Sequence, residues 1–523
     1  MKKICCLFVC SAIIMYSCSK EEDNYGNVRR NIVVANGRIS DVITDENIYD
    51  VTNLTINGII SGEDWNILFE MAAMGKLEIL DMAKAKIVGD ANVDCWKDDE
   101  IPEYEFSHSK TLKEVFLPNS LTVIGEEAFA ECSKLEIVHF SEEIDSIAPR
   151  AFYKSGLSGE FLIPEKLRVI GKQAFGGTKL AKVIIKSDVL AANDSIVYMI
   201  GGNSVFANCQ ELTEVEVKEG CTMLELGFDR CSSLSTVSLP STLRQIGHKS
   251  RFTHNYIFNQ CKSLESIVLP SKLWLVGYNA FANTSLKEIE IPDGVQYLGS
   301  YAFSDCVQLK SIKMPQQLKQ IKQGCFEGCS SLLEIDIPNK VTEIDYRAFY
   351  GCSTLRKVSF GDNITTIGRY AFQNCTMLHT ALLPTHLSSL RESAFEGCSN
   401  LAIVRMSDDI EEIEPCTFKD CVELHDLTIG SSVTKIGSSA FLHCPKLESI
   451  NLPLSISSID FYAFAYTGLR QMNVKWASPV PIASNTFVGV NLSKATLTVP
   501  TGGSAVYNES PVWKDFGQIK EQE

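Results

Sequence analysis

Cysteine is the residue type with most chemical potential in this 523-residue chain, which carries 19 of them. Cys5, Cys6, Cys10 and Cys18 lie in the first 18 residues. Eleven others each follow a phenylalanine by three residues: Cys132, Cys209, Cys231, Cys261, Cys306, Cys329, Cys352, Cys375, Cys398, Cys421 and Cys444. Ser155, Thr178, Thr284 and Thr467 take the same place in other copies. A position shared by Cys, Ser and Thr is small and locally polar. That suits buried side chains bonded to turn backbone better than metal ligands. No Cys pair has zinc spacing and the eight His are scattered, so no metal site is expected. Parallel inward side chains rarely offer a disulfide dihedral, and the ladder has an odd number of members. Free buried thiols are therefore expected. Cys95, Cys221, Cys325 and Cys416 fall off the ladder. No G-x-S-x-G elbow, phosphate loop or H-E-x-x-H occurs. Acid pairs such as Asp408-Asp409 read as solvated turns. The chain is expected to have no catalytic residue and no cofactor.

The element that positions the cysteines is a repeat. Phe129, Phe152, Phe175, Phe206, Phe228, Phe258, Phe281, Phe303, Phe326, Phe349, Phe372, Phe395, Phe418, Phe441, Phe464 and Phe487 mark sixteen units. Their spacing is 22 or 23 residues, except 31 before Phe206 and 30 before Phe258. Self-similarity at such a period means a solenoid, whose core grows in one dimension. In Leu355-x-x-Val358-x-Phe360 the alternation fits a short strand, and stacked units would form one parallel sheet. Pro118, Pro240, Pro270, Pro292, Pro315, Pro338, Pro384 and Pro453 end such strands, because Pro lacks a donor. Ala beside Phe lets the rings stack between rungs. Gly125, Gly171, Gly299, Gly368 and Gly437 are expected at positive φ. The fold class is a repeat solenoid of α/β type, dominated by short parallel strands, with about sixteen 22–23-residue units and a cap at each end.

Hydrophobic residues make up 45% and charged residues 21%, a folded composition. The net charge of −16 and the lack of a Lys/Arg stripe exclude nucleic acid as a partner. It also disfavours direct adsorption to anionic membranes, which leaves a lipid anchor as the only membrane contact. Lys2-Lys3 and the apolar run Ile4 to Met15 have signal-peptide architecture and are too short to span a bilayer. Met15-Tyr16-Ser17-Cys18 resembles a bacterial lipobox, departing from it at Met15 and Tyr16. The resemblance implies that Cys18 is lipidated, with ordinary secretion as the alternative. Ser19-Lys20-Glu21-Glu22-Asp23 resembles the surface-export signal of Bacteroidetes lipoproteins. Domains are read as signal segment 1–18, polar tether 19–30, N-terminal cap module 31–105, repeats 106–487 and C-terminal cap 488–523. Within the cap module Val51 to Ile56 alternates like a strand, and Asp64 is placed to cap a helix carrying Trp65, Leu68, Phe69 and Ala72. Trp96 to Glu105 reads as an acidic insertion.

The pattern L-x-x-[IV]-x-[LI]-P-x-x-[LV]-x-x-I-G-x-x-A-F-x-x-C resembles the BspA-like class of leucine-rich repeats over residues 112–487. Pro511-Val512-Trp513-Lys514-Asp515-Phe516 resembles the closing cap of Bacteroidetes members, with Trp513 and Phe516 covering the last rung. The resemblance implies a surface or secreted protein, which together with the lipobox reads as an outer-membrane lipoprotein exposed at the cell surface, with secretion as the alternative. It would bind or adhere to a protein ligand of host matrix or of another bacterial surface. The alternative is a glycan-binding accessory lipoprotein without catalysis. Two places are candidates for contact. The outward sheet positions Phe116, His139, Glu216, Glu290, Lys313, Asp336, Ser359, Arg405, Thr428 and Asn451 are chemically mixed. The two long units insert Val189 to Asn203 and His248 to Tyr256 at one phase, hence on one edge. They carry Tyr198, Met199, Arg251, Phe252, His254 and Tyr256, the aromatic and Arg types that contact sites favour.

Overall fold

The computed structural model describes residues 18–22, 28–35, 37–90, 96–186, 204–249 and 256–522, with side chains from residue 31 onward. They fall in two compact units, Met1–Cys221 with Leu226–Leu234, and Thr222–Glu225 with Ser235–Glu523. Each unit is built from stacked parallel rungs of the leucine-rich type.

One rung of the second unit shows how the repeat folds. Glu334–Asp336 is a strand in parallel register with Lys357–Ser359, and Ile335 points into the core. Pro338 then ends the strand, and its carbonyl accepts the N–H of Val341 at 3.0 Å, which turns the chain. Glu343–Ile344 forms a second, two-residue strand, paired with Gln320–Ile321 before it and Thr366–Ile367 after it. This second ladder was not anticipated, because two residues are too few to show alternation. The Phe loop follows. Arg347 and Gly351, two residues either side of Phe349, have φ of +52° and +71°. That alternation aims the N–H groups of Arg347, Phe349 and Gly351 at the next rung. They donate to the carbonyls of Arg369, Ala371 and Gln373 at 3.0, 2.8 and 2.8 Å. Asn, Asp and Gly recur at the second left-handed place (Asn283, Asp305, Gly328, Asn374, Gly397), which its φ favours, and Glu131, Lys154, Arg230, Gln260, His443 and Tyr466 adopt the same φ in other rungs.

Inside, the phenylalanines stack. Phe349, Phe372 and Phe395 are fully buried, with centroids 5.1 and 5.3 Å apart and planes within 6°. The first unit repeats this from Phe106 through Phe129 and Phe152, at 5.0 and 5.2 Å. Phe106 is thus an anchor in its own right, and Glu100–Ile101 is a second-ladder strand paired with Val123–Ile124. The segment read as an acidic insertion is half of a rung.

Five glycines at one phase of the repeat need a different explanation from the one expected. Gly125, Gly171, Gly299, Gly368 and Gly437 are not at positive φ. A Cβ on Gly368 would lie 2.7 Å from the Asp345 carbonyl carbon, and one on Gly171 2.3 Å from Pro149 N. These glycines let consecutive rungs approach.

In the cap region Asn53–Ile56 forms the expected strand, and Ile79–Asp81 joins it to Glu114–Phe116. The helix is Glu63–Met74, with Gly62 at its N-cap. Asp64 lies inside the first turn, buried, and accepts the N–H groups of Ile39 and Ser61 at 3.0 and 3.1 Å. It ties the helix to a distant turn in addition to serving its own N-terminus. Phe69 faces solvent and Met71 takes its place in the core. Cys18–Glu22 pairs antiparallel with Val28–Val34, so strand occupies much of the stretch read as tether. At the other end Trp513 and Phe516 meet Phe487 edge-on at 6.1 and 5.7 Å. Trp513 Nε1–H donates to Val480 O at 2.9 Å, and Tyr507 Oη–H to Trp476 O at 3.0 Å.

Candidate functional site

The cysteine ladder is a device of the core. Cys352, Cys375, Cys398, Cys421 and Cys444 donate from Sγ to the carbonyls of Phe326, Phe349, Phe372, Phe395 and Phe418 in preceding rungs, at 3.1–3.3 Å. Cys132 does the same to Phe106 at 2.9 Å. All eleven ladder thiols are buried and none is in a disulfide. Thr178, Thr284 and Thr467 instead bond the Phe carbonyl of their own rung at 2.8–2.9 Å. Burial pushes Cys132 and Cys398 up to about 12 and Cys306 to about 11, which keeps these three thiols protonated and unreactive. Of the off-ladder cysteines, Cys221 and Cys325 are buried and Cys416 is half-buried, while Cys95 lies outside the described residues. Among the described residues no group of three His, Cys, Asp or Glu could hold a metal ion.

The sheet face is largely occupied by its own side chains. Lys313 pairs with Glu290 and Arg405 with Asp426. Phe116 stacks on His139 at 3.9 Å, and His139 reaches Glu114 at 2.8 Å. Asn473 Nδ2–H donates to Asn451 at 2.6 Å. Partners arranged rung to rung in this way leave little chemistry facing outward.

The Phe-loop edge of the second unit is different. Tyr256 meets Tyr278 edge-on at 6.4 Å, and Tyr278 meets Tyr301 at 5.8 Å. Further along, Tyr346 meets Tyr370 at 5.7 Å. Gly324 holds the intervening rung open, since a Cβ there would stand 2.2 Å from the Tyr301 ring. The Arg347 guanidinium lies 5.3, 4.7 and 5.8 Å from the ring centres of Tyr346, Tyr350 and Tyr370. It also pairs with Glu327 at 3.4 Å. All these tyrosines are half-buried, so each ring has a rigid seat and an open side. Burial pushes the phenols of Tyr301 and Tyr370 up from a range that is already alkaline. The same burial raises the carboxyls of Asp305 and Glu327 beside them.

Of the residues singled out from sequence, Tyr256 opens this edge. Tyr198, Met199, Arg251, Phe252 and His254 lie outside the described residues. So does the side chain of Cys18, whose backbone is described as strand. At the near end of the second insertion Lys249 Nζ sits 4.7 Å from the Trp274 ring and 5.4 Å from Tyr297, and Tyr297 Oη–H donates to Lys249 O at 3.2 Å. Sequence reasoning passed over the rest of the edge. The signal was present: tyrosine recurs two or three residues before the Phe anchor at Tyr256, Tyr278, Tyr301, Tyr346 and Tyr370. A second exposed aromatic group, Phe461, Tyr462 and Tyr466, sits on the Phe464 rung.

Short parallel strands, a stacked Phe column and period-23 rungs define a leucine-rich-repeat protein. The chain belongs to the family described as BspA type leucine-rich repeat region, which matches residues 98–200, 195–256, 251–379 and 377–493. Among solved structures it is similar to a leucine-rich repeat protein from Bacteroides ovatus, with 26% identity over 62% of this chain and 87% of that one, and a TM-score of 0.47. One from Eubacterium ventriosum shares 19% identity over 73% of this chain and 93% of its own, with a TM-score of 0.42. A leucine-rich cell surface protein from Faecalibacterium prausnitzii shares 19% over 86% and 94%, with a TM-score of 0.32. No curated protein matches the chain.

Proposed function

We propose that this protein is a lipid-anchored, surface-displayed scaffold that adheres to another protein through the tyrosine–arginine edge from Tyr256 to Tyr370. The observation that carries the reading is Arg347 seated among three half-buried tyrosines, on an edge whose neighbouring rungs add Tyr256, Tyr278 and Tyr301. Rigid aromatic and Arg side chains dominate protein interfaces because they offer large area at little entropy cost. The membership in a repeat family of bacterial surface type supports the coarser statement, a protein-interaction role. The tyrosines also give the glycan alternative something to stand on. Yet adjacent rings cross at 61°, 79° and 90°, so neighbours do not offer coplanar faces to stacked sugar rings.

A binding screen tests this. The Cys18→Ser chain is immobilised against matrix proteins, mucins, bacterial surface extracts and a glycan panel. The expected result is a protein ligand whose binding falls at least about tenfold in a Tyr346→Ala/Tyr370→Ala variant, the loss of one interface hot spot. A ligand that is glycan alone and competed by free sugar refutes the reading. Anchoring through Cys18 is tested separately: Cys18→Ser is expected to move the protein from the membrane fraction to the soluble one, and unchanged partition refutes it.

A further inference from the structure

A slot between two rungs of the second unit has a chemistry of its own. Leu264, Ile267, Leu269 and Pro270 carry the repeat pattern, and the equivalent residues one rung on, Glu288–Glu290, pair in register with Ser311–Lys313. Ser266–Val268 nevertheless form no strand, and among the described residues no main-chain hydrogen bond joins residues 266–269 to a neighbouring rung. The two rungs are held together on either side of this stretch. Lys287 N–H donates to Glu265 O at 3.1 Å, and Gln296 N–H to Trp274 O at 3.0 Å. Between those bonds they part around a cavity of about 500 Å³. One wall is Ile267, Val268 and Leu269; the other is Glu290, Pro292 and Asp293. Val268 is 86% exposed, more than any other large hydrophobic residue of the described chain.

We infer that this slot receives an arginine side chain presented by a partner polypeptide. Three features select that occupant. The walls are apolar toward Val268 and Pro292, which suits an aliphatic stem. Two carboxylates, Glu290 and Asp293, line the slot; Lys313 pairs with Glu290, and among the described residues no ion pair holds Asp293, so its negative charge is left to complement. The unjoined main-chain carbonyls of the 266–269 stretch supply further acceptors, and a guanidinium brings five donors in a fixed plane. The reading of this chain as a protein-binding scaffold supplies the source of the arginine, but the slot's chemistry stands apart from the tyrosine edge.

The test uses acetyl-Gly-Arg-Gly-amide titrated into the Cys18→Ser chain carrying labelled Ile, Leu and Val methyls. Parallel titrations use peptides with citrulline or norleucine in place of arginine. The expected result is saturable shifts at the Ile267, Val268 and Leu269 methyls, with citrulline and norleucine binding at least about tenfold more weakly, as loss of a charge-assisted bond requires. The exposed-site variant Glu290→Gln/Asp293→Asn, which keeps the fold, is expected to lose about the same factor. Equal titration by the three peptides, or arginine binding unchanged in the double variant, overturns the inference. Because the probe is a tripeptide, that failure leaves the scaffold reading untouched, and failure of the tyrosine edge to bind a protein leaves this result untouched.

Discussion

Gly368 and Gly351 separate two reasons for keeping a glycine, and replacing each by alanine tells them apart. Gly351 has φ +71°, and the nearest atoms to an added Cβ are 4.0 Å away. Alanine there meets only the left-handed backbone penalty, about 1 kcal/mol. Gly368 is not at positive φ, but its Cβ would stand 2.7 Å from the Asp345 carbonyl carbon and 2.9 Å from Tyr346 N. Ordinary contact begins near 3.4 Å, so the rungs must part by about 0.7 Å. The Gly368 N–H to Ile344 O bond, 2.7 Å long, would stretch toward about 3.4 Å, past the useful range. Overpacking together with a weakened inter-rung bond costs about 2–3 kcal/mol. A repeat array passes such damage to its nearest neighbours first. The assay is urea unfolding paired with amide hydrogen exchange. Gly368→Ala is expected to unfold at the lower urea concentration and to speed exchange at Gly368 and in the adjoining rungs. If Gly351→Ala is as destabilising as Gly368→Ala, rung spacing is not why glycine sits there.

Two further outcomes follow from the core. The ladder thiols ionise near pH 9 when unfolded, but Cys132 and Cys398 at about 12 when folded. Their contribution to stability is therefore complete below pH 9 and is lost as pH rises from there toward 12. Unfolding midpoints are expected to be flat from pH 7 to 8.5 and to fall above 9, with half-buried Cys416 alkylated before any ladder cysteine; rapid native-state alkylation of Cys398 refutes the ladder account. Trp513→Ala removes the side chain that meets Phe487 edge-on and buries 99% of its surface. It is expected to cost about 3–5 kcal/mol and to raise exchange in the Phe464 and Phe487 rungs before the Phe349 rung; uniform exchange across the unit would contradict a closing cap.

Much of the rung was legible because its period is strict. A Phe, an Ala before it and a Cys three after it repeat often enough to fix which side chains stack. The two-residue second strand was hidden, since Glu343–Ile344 is too short to show a period. The role of Gly368 was hidden for another reason. Sequence shows that a residue is small but not whether φ or a neighbouring rung requires it. Phe106 was passed over because Pro102 and Glu105 stand where the consensus has Gly and Ala, although its distance to Phe129 is the regular 23. Asp64 was legible as a helix-start residue, but its bond to Ile39 depends on a turn 25 positions away. The tyrosine edge combines residues from five rungs, none unusual alone. Only stacking brings Tyr346, Arg347 and Tyr370 together.

The central claim, that the tyrosine–arginine edge is the binding surface, is tested most directly by site-specific photocrosslinking. A photoreactive residue is placed at Tyr370 on that edge or at Leu382, 60% exposed on the sheet face. Each chain is then irradiated with matrix proteins and bacterial surface extracts. The edge position is expected to trap a protein partner and the sheet position to trap none. Crosslinks from Leu382 with none from Tyr370 would place the contact on the sheet and contradict the account.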